Sequence, residues 1–508
     1  MSALQSGMIN DLSYKSVAGS GEGFLDPNFA SLNNIPPDKQ RTRSLISQKR
    51  VIGAVGIFTL NWKSILNLQL SGRNDWSSTL PSDNNSFFYP GGNFALILSE
   101  IPAVKNLDWL SFAKIRGGYA IARKDPPPYG VYPALETQVT TGGGYGYGFT
   151  GPNPLLKPER TTSYEGGLEV MFFKGRLGLD ATYYKKQSVD QIVKDLRLSY
   201  ATGYVLSVMN GGSMWNNGIE LQLKGTPVSN NDLRWDITAN FNKMKSKLTY
   251  LPTGLIEYYN SDTWFYGNVR NGAVVGESTT TISGLPYERN NNGDILINPQ
   301  TGLPLRLGTF GKIGDRNPDF SLGIMNSFTY KNFELSFLLD TRKGGDVINL
   351  TEHQLVVNGL STRTLDRETP VVVKGVLKDG FQNTDHPTVN NVQILPSRSG
   401  APYYYTTPSN GLMNEEDFVE HDISWIRMKD VTLAYIFPKS FLESRIKAIG
   451  SLSVYATATD LFLITNYRGL DPVIMGNNAA VAGSGSAGMD YGNFPLPMGL
   501  IFGIKVGF

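Results

Sequence analysis

The chain has 508 residues, no cysteine, 18 % charged and 11 % aromatic residues, and a formal charge of +2 at neutral pH. That length allows one large domain or about three ordinary ones. Without cysteine there are no disulfides, thiolate metal centres or cysteine nucleophiles, and the near-neutral charge gives no bulk attraction for nucleic acid.

No stretch approaches the ~18 consecutive apolar residues of a membrane-crossing helix. The opening MSALQSGMINDLSYK lacks a basic run followed by an apolar one, so no signal peptide is visible there. Helical periodicity is rare, whereas period-two alternation recurs along the chain. About thirteen segments carry it, near 48–61, 64–76, 87–99, 110–124, 160–173, 176–190, 212–225, 233–248, 318–330, 333–344, 422–437, 450–464 and 494–508. Each is near the 9–11 residues that cross a bilayer as a tilted strand. In 64–76, Leu66, Leu68 and Leu70 oppose Asn67, Gln69 and Ser71. In 176–190, Leu177, Leu179, Ala181 and Tyr183 oppose Gly178, Asp180, Thr182 and Tyr184. In 318–330, Phe320, Leu322, Ile324, Asn326, Phe328 and Tyr330 share one face. Links at Trp62-Lys63, Lys174-Gly175 and Lys331-Asn332 read as tight hairpins.

The other links are long and polar or glycine-rich, at 125–159, 249–317, 345–421 and 465–493. Short turns on one rim and long loops on the other are the pattern of an antiparallel transmembrane β-barrel of the bacterial outer membrane. Trp62, Phe172, Phe173, Tyr330, Phe333 and Phe437 gather at the short turns, where a membrane interface favours aromatic rings. A soluble sandwich also alternates, but loops longer than ~12–15 residues are uncommon in compact domains.

Several stretches together resemble the carboxy-terminal barrel of SusC/RagA-type TonB-dependent outer-membrane transporters. They are RNDWSSTLPSDNNSFFYP (73–90), LSFAKIRGGYAIARKD (110–125), NPLLKPERTTSYEGGLE (153–169), NNGIELQLKGTPV (216–228), GDRNPDFSLGIMNSFTYKNFELSF (314–337), SWIRMKDVTLAYIFPKSF (424–441), NYRGLDPVI (466–474) and FPLPMGLIFGIKVGF (494–508). The resemblance covers nearly everything from residue 48 onward. The family has a signal peptide and plug domain before a 22-stranded barrel, and neither is visible here. The resemblance therefore implies a loop-like extracellular segment over 1–47, including EGFLDPNFASLNN (22–34), followed by about 13 of 22 barrel strands over 48–508.

The remaining motifs carry less. VAGSGSAG (481–488) contains a formal G-x-G-x-x-G, but it lacks the strand–turn–helix setting and the acid about 20 residues on. In RNNNGDILINPQTG (289–302), placing Gly293 at position six of a calcium loop puts Pro299 where a bidentate glutamate belongs, so it reads as an Asn-Gly turn. His353, His386 and His421 match no triad or zinc spacing. Glu415, Glu416, Asp417, Glu420 and Asp422 read as solvated loop charges rather than catalytic carboxylates. No enzyme constellation, cofactor motif or metal set emerges.

The candidate substrate contacts are loop aromatics, whose flat rings offer contact area at low entropy cost. They are Tyr129, Tyr132, Tyr145, Tyr147, Tyr258, Tyr259, Trp264, Tyr266, Tyr403, Tyr404 and Tyr405. The last strand places Phe502, Ile504, Val506 and Phe508 on one face, which the resemblance implies is a signal to the outer-membrane assembly machinery. It further implies import of oligosaccharides or peptides across the outer membrane of a Gram-negative bacterium. Partners would be outer-membrane lipid, a SusD-like surface lipoprotein and, through a plug, the TonB complex. Other readings are a barrel scaffold for surface lipoproteins or an export machine, a passive pore, and a soluble lectin-like sandwich.

Overall fold

The computed structural model describes residues 2–17, 40–133, 135–138, 144–148, 150–197, 203–252, 254–262, 269–365, 367–396, 414–445, 448–473 and 487–508. Fourteen long strands run in chain order through one antiparallel sheet. They are β1 (Ser2–Val17), β2 (Gln40–Trp62), β3 (Leu66–Ser77), β4 (Ser86–Ile97), β5 (Leu110–Lys124), β6 (Glu159–Phe172), β7 (Leu177–Arg197), β8 (Leu206–Ser229), β9 (Leu233–Tyr250), β10 (Phe320–Tyr330), β11 (Phe333–Lys343), β12 (Trp425–Ile436), β13 (Ser451–Thr465) and β14 (Gly499–Gly507). The short strand Thr150–Gly151 pairs with β8 off this path. β1 and β14 are the two edges, so the sheet is an open wall.

All thirteen alternating segments are strands of this wall, and β1 is an addition. Residues 1–47 were expected to be loop-like, yet Ser2–Val17 pairs residue by residue with Gln40–Val55. The alternating set Leu4, Met8, Leu12 and Tyr14 is broken by Ser6 and Asn10, which masks the period. EGFLDPNFASLNN (22–34) lies outside the described residues. With β1 the count on the path is even, so β1 runs away from the short-turn rim and β14 runs toward it.

Of the three predicted hairpins, only Lys331–Asn332 is a two-residue link. Its Lys331 has φ 53°, the left-handed conformation that matches the strand twist. The β2–β3 link has three residues, with Lys63 and Ser64 at positive φ. The β6–β7 link has four, with Phe173, Lys174 and Gly175 at positive φ.

The register gives the wall two chemically distinct faces, because side chains alternate across a strand. One row runs Trp235, Phe328, Leu335, Leu433, Ala456, Phe502 across β9 to β14. A row on the other face runs Lys114, Glu169, Asp180, Gln222, Asn240 across β5 to β9. The first is a lipid-facing surface and the second a lumen-facing one. At the short-turn rim, Trp109 stacks on Phe172 at 5.8 Å, and Phe333, Tyr435, Phe437 and Phe441 follow one another at 4.9–5.6 Å. This is the aromatic girdle the sequence predicts. At 21 and 24 residues, β7 and β8 extend well past the 9–11 that cross a bilayer, toward the long-loop side.

Candidate functional site

The buried hydrophobic residues concentrate in the long loops. Loops 251–319, 344–424 and 466–498 share one core of Val269, Ile282, Ile313, Ile348, Leu350, Val356, Phe418, Val419 and Met489. Full burial of such a side chain contributes roughly 1.5–3 kcal/mol, so this loop body is cohesive. Its scaffold is a sheet of Glu257–Asp262, Arg270–Val274, Thr281–Gly284 and Gly311–Asp315. Val347–Asn349 lies between Val419–Glu420 and Met489–Asp490, tying two loops together. The helix α1 (Leu350–Val357) follows, capped by the Asn349 side chain, which accepts from Glu352 N at 2.8 Å. A second cluster, Leu80, Phe87, Val131 and Leu156, joins the β3–β4 and β5–β6 loops.

The family-like motifs prove to be latches. Arg427 is 2 % exposed and donates to Asp460 at 3.1 Å and Asp471 at 2.6 Å. Asp471 also accepts from Val473 N and Leu496 N, so one carboxylate fixes the 466–498 loop to the wall. Tyr467 donates to Asp490 at 2.5 Å. Burial and the Asp490 charge push the Tyr467 phenol well above its usual range, so it stays a donor. In 153–169, Asn153 donates to Val208 O, and Asn210 exchanges hydrogen bonds with both backbone groups of Lys157. In 314–337, Asn317 donates to Met244 O at 2.8 Å, and Asp346 accepts from Asp315 N at 2.7 Å.

Asp346 also pairs with His421 Nδ1 at 3.2 Å. Burial works against the Asp346 anion, but the bonds from His421 and Asp315 prevail and hold its carboxyl below the usual range. The Asp346 bond raises His421 against a smaller opposing effect of burial. His353 is buried edge-on against Phe418, 4.9 Å between ring centroids, and desolvation lowers it to about 4.

Of the acidic cluster, Asp422 is exposed as expected and pairs with Lys343 at 2.8 Å, whereas the other four acids are not free in solvent. Glu415 and Glu420 are buried. Glu416 accepts from Tyr287 N at 2.9 Å and pairs with Arg289, and Asp417 accepts from Tyr287 Oη at 2.5 Å. Glu420 accepts from Asn349 at 2.9 Å and Arg468 N at 3.0 Å. Burial raises Asp417 against the opposing hydrogen bonds. The reason is position: these acids sit where three loops meet, and their partners come from distant sequence. The Asn-Gly segment is the turn predicted, with Gly293 at φ 88° and Asn290 Oδ1 accepting from Asn292 N and Asp294 N.

The lumen face below is densely charged. Arg116 donates twice to Asp180, at 3.1 and 2.6 Å, and to Thr182 at 2.7 Å. Lys114 pairs with Glu169 beside it. Asp180, Thr182, Glu220, Gln222, Asn240 and Asn242 continue this surface around a shallow concavity. A wall of this kind can hold polar solutes and water through many exchangeable hydrogen bonds.

Of the predicted aromatic contacts, Tyr129 and Tyr132 are 63 % and 67 % exposed, and the Tyr129 hydroxyl accepts from Gln48 N at 3.1 Å. Tyr258 is half-buried in the loop-body sheet. Tyr145, Tyr147 and Tyr259 lie on short strands, Gly144–Tyr147 and Glu257–Asp262, described by backbone alone. Trp264, Tyr266, Tyr403, Tyr404 and Tyr405 lie outside the described residues, as does most of VAGSGSAG. Sequence reasoning missed the Arg427–Asp471 latch, although both residues stand in motifs already singled out.

Residues 5–336 match the family model described as TonB dependent receptor-like, beta-barrel. The chain belongs to this family. The TonB-dependent receptor barrel is 28 % identical to TonB-dependent receptor P26 of Formosa agariphila, over 94 % of this chain and 48 % of that protein. It is 24 % identical to TonB-dependent receptor SusC of Bacteroides thetaiotaomicron, over 89 % of this chain and 42 % of that protein. The chain thus spans just under half the length of the curated relatives it matches. Its fold matches the RagAB peptide importer in the closed-closed state with a TM-score of 0.70 at 19 % identity, covering all of this chain and 53 % of that one. A RagAB peptide transporter structure gives 0.71 at 18 % identity, covering all of this chain and 56 % of that one. These likenesses agree with the SusC/RagA-type resemblance of the sequence. Members of the family are receptors and transporters, β-barrels of the Gram-negative outer membrane.

Proposed function

We propose that this chain forms the carboxy-terminal wall and loop body of an outer-membrane importer of oligosaccharides or peptides. The observation that carries the reading is the pairing of a charged lumen wall, centred on Arg116 and Asp180, with a cohesive loop body on its long-loop side. A polar solute entering from outside would meet the loops first and the wall next. Exposed rings such as Tyr129 and Tyr132 would stack on sugar faces or grip peptide side chains. Fold likeness to RagAB, described as a peptide importer, supports the peptide half of the reading. A SusD-like lipoprotein would close over the loops, and the TonB complex would supply energy through a plug. The terminal face of Phe502, Ile504, Val506 and Phe508 would report the finished strand to the assembly machinery.

The test is uptake by intact cells. Deleting the gene should abolish energy-dependent accumulation of labelled oligosaccharides or oligopeptides, and a protonophore should do the same in the parent strain. Unchanged accumulation of every glycan and peptide class after deletion overturns the importer reading.

A further inference from the structure

The lipid-facing surface changes character sharply on β5 to β9. On β9 the outward set runs Trp235, Ile237, Ala239, Phe241 and then Lys243, Lys245, Lys247. The intervening residues point inward: Ser246 bonds Thr279 of the loop body at 2.8 Å, and Leu248 is buried. The three lysines are all exposed and repeat about every 7 Å along the strand. Across β8 they face Ile219, Asn217 and Trp215. Asn217 in turn faces Lys185 of β7, which faces Tyr164 and then Tyr119. Two steps of the alternation above those tyrosines, past Ile121 and Thr162, Arg123 and Arg160 stand directly opposite each other.

Six basic side chains therefore begin where the apolar band stops, on the same face of neighbouring strands. Among the described residues none of the six has a carboxylate within 4 Å. Of the acids on these strands whose side chains are described, Glu159, Glu165, Glu169, Asp180, Glu220 and Asp236 lie on the lumen-facing set. Asp190, in the β7 irregularity, is the one acid whose charge bears on Arg123. Like charges paired across strands are unfavourable, so an external anion would relieve this face.

We propose that this surface binds the phosphate-bearing headgroups of lipids in the outer leaflet. The depth is right, because the lysines follow Phe241 and Tyr183 at the level of an interfacial aromatic belt. The charge is complementary, and ammonium groups suit phosphate oxygens. Continuity with the lipid-facing rows selects a lipid over a soluble partner. The inference depends on the wall standing in a membrane and is independent of what the protein imports.

The test is lipid binding by the purified, delipidated protein, read by native mass spectrometry. The probes are diphosphorylated lipid A, the same lipid after enzymatic dephosphorylation, and inorganic phosphate. Lys243→Gln, Lys245→Gln and Lys247→Gln combined should weaken diphosphorylated lipid A by about 100-fold. Lys186→Gln, on the inner face of β7, should leave it unchanged. These exposed substitutions should keep the heat-modifiable gel shift of a folded barrel. Wild-type protein should bind the dephosphorylated lipid as weakly as the triple variant binds the phosphorylated one. Equal affinity of wild type and triple variant, or of the two lipids, overturns the proposal. Inorganic phosphate binding with the same lysine dependence and displacing the lipid reduces it to a free-anion site. Loss of an acidic protein from the triple variant, with lipid affinity intact, transfers the surface to that partner.

Discussion

Trp235 Nε1 donates a hydrogen bond to Asn326 Oδ1 at 3.1 Å within the lipid-facing row of the wall. Asn326 is the one polar side chain in the set from Phe320 to Phe328, and it is buried. Trp235 also stacks on Phe328 at 5.4 Å. The indole thus shields an amide from hydrocarbon and answers its acceptor at once.

Trp235→Phe should therefore leave Asn326 short of a partner where water is scarce. A loss of about 1–3 kcal/mol is expected, read as an earlier urea unfolding midpoint in lipid vesicles. Asn326→Leu in the same background should recover most of it. If Trp235→Phe unfolds like wild type, the hydrogen bond carries no net weight.

Arg427→Met should be more damaging than its size implies. It leaves Asp460 and Asp471 beside a buried apolar side chain, and breaking a buried pair by removing one partner costs about 3–5 kcal/mol. The expected result is rapid proteolytic cutting within 466–498 while the wall stays protected. Adding Asp471→Asn should restore part of the resistance. Identical cutting patterns in all three proteins would show that other contacts hold the loop.

The loop body should weaken in mild acid. His353 is held neutral, its folded value about 4 against 6.5 when free. The unfolded state thus binds more protons, and stability falls as pH drops from about 6.5 toward 4. His421 has the opposite sign. Raised by Asp346, it adds stability below about 6.5 that is lost as pH rises through its folded value. Asp346, held low, contributes above about 3.8 and loses that only as pH falls further. Protease resistance of the loop body between pH 7 and 4.5 should fall in wild type, rise in His353→Leu and fall more steeply in His421→Asn. A His353→Leu profile that overlays wild type would remove His353 from this role.

Phe508→Ser should lower the amount of protein assembled in the outer membrane. Phe508 is 96 % exposed at the end of β14, in line with Phe502, Ile504 and Val506. Quantified membrane fractions are the readout, and unchanged levels would refute the signal reading.

The wall was legible because period two is a local property: Leu66, Leu68 and Leu70 reveal their face within five residues. β1 was not, since Ser6 and Asn10 fall in its apolar set and a wall edge tolerates them. The loop body was also hidden. Its core draws Val269, Ile282, Ile348 and Met489 from short segments with no shared period, and the parallel pair Ile348↔Met489 joins residues from different loops. The acids before β12 looked solvated for the same reason, because Tyr287, Asn349 and Arg468 are distant in sequence. Of the loop aromatics, Tyr129 and Tyr132 are exposed and Tyr258 is half-buried, a difference that aromaticity alone does not reveal.

The core from Val269 to Met489 has a kinetic consequence. Its pieces belong to three hairpins, and they meet only after β9 through β14 have found their register. Contacts of such long sequence separation form late. The loop body is then a clock for biogenesis: its protection marks the moment when this half of the wall has been built, and any strand slip upstream of β14 would leave it open to the proteases that patrol the cell envelope.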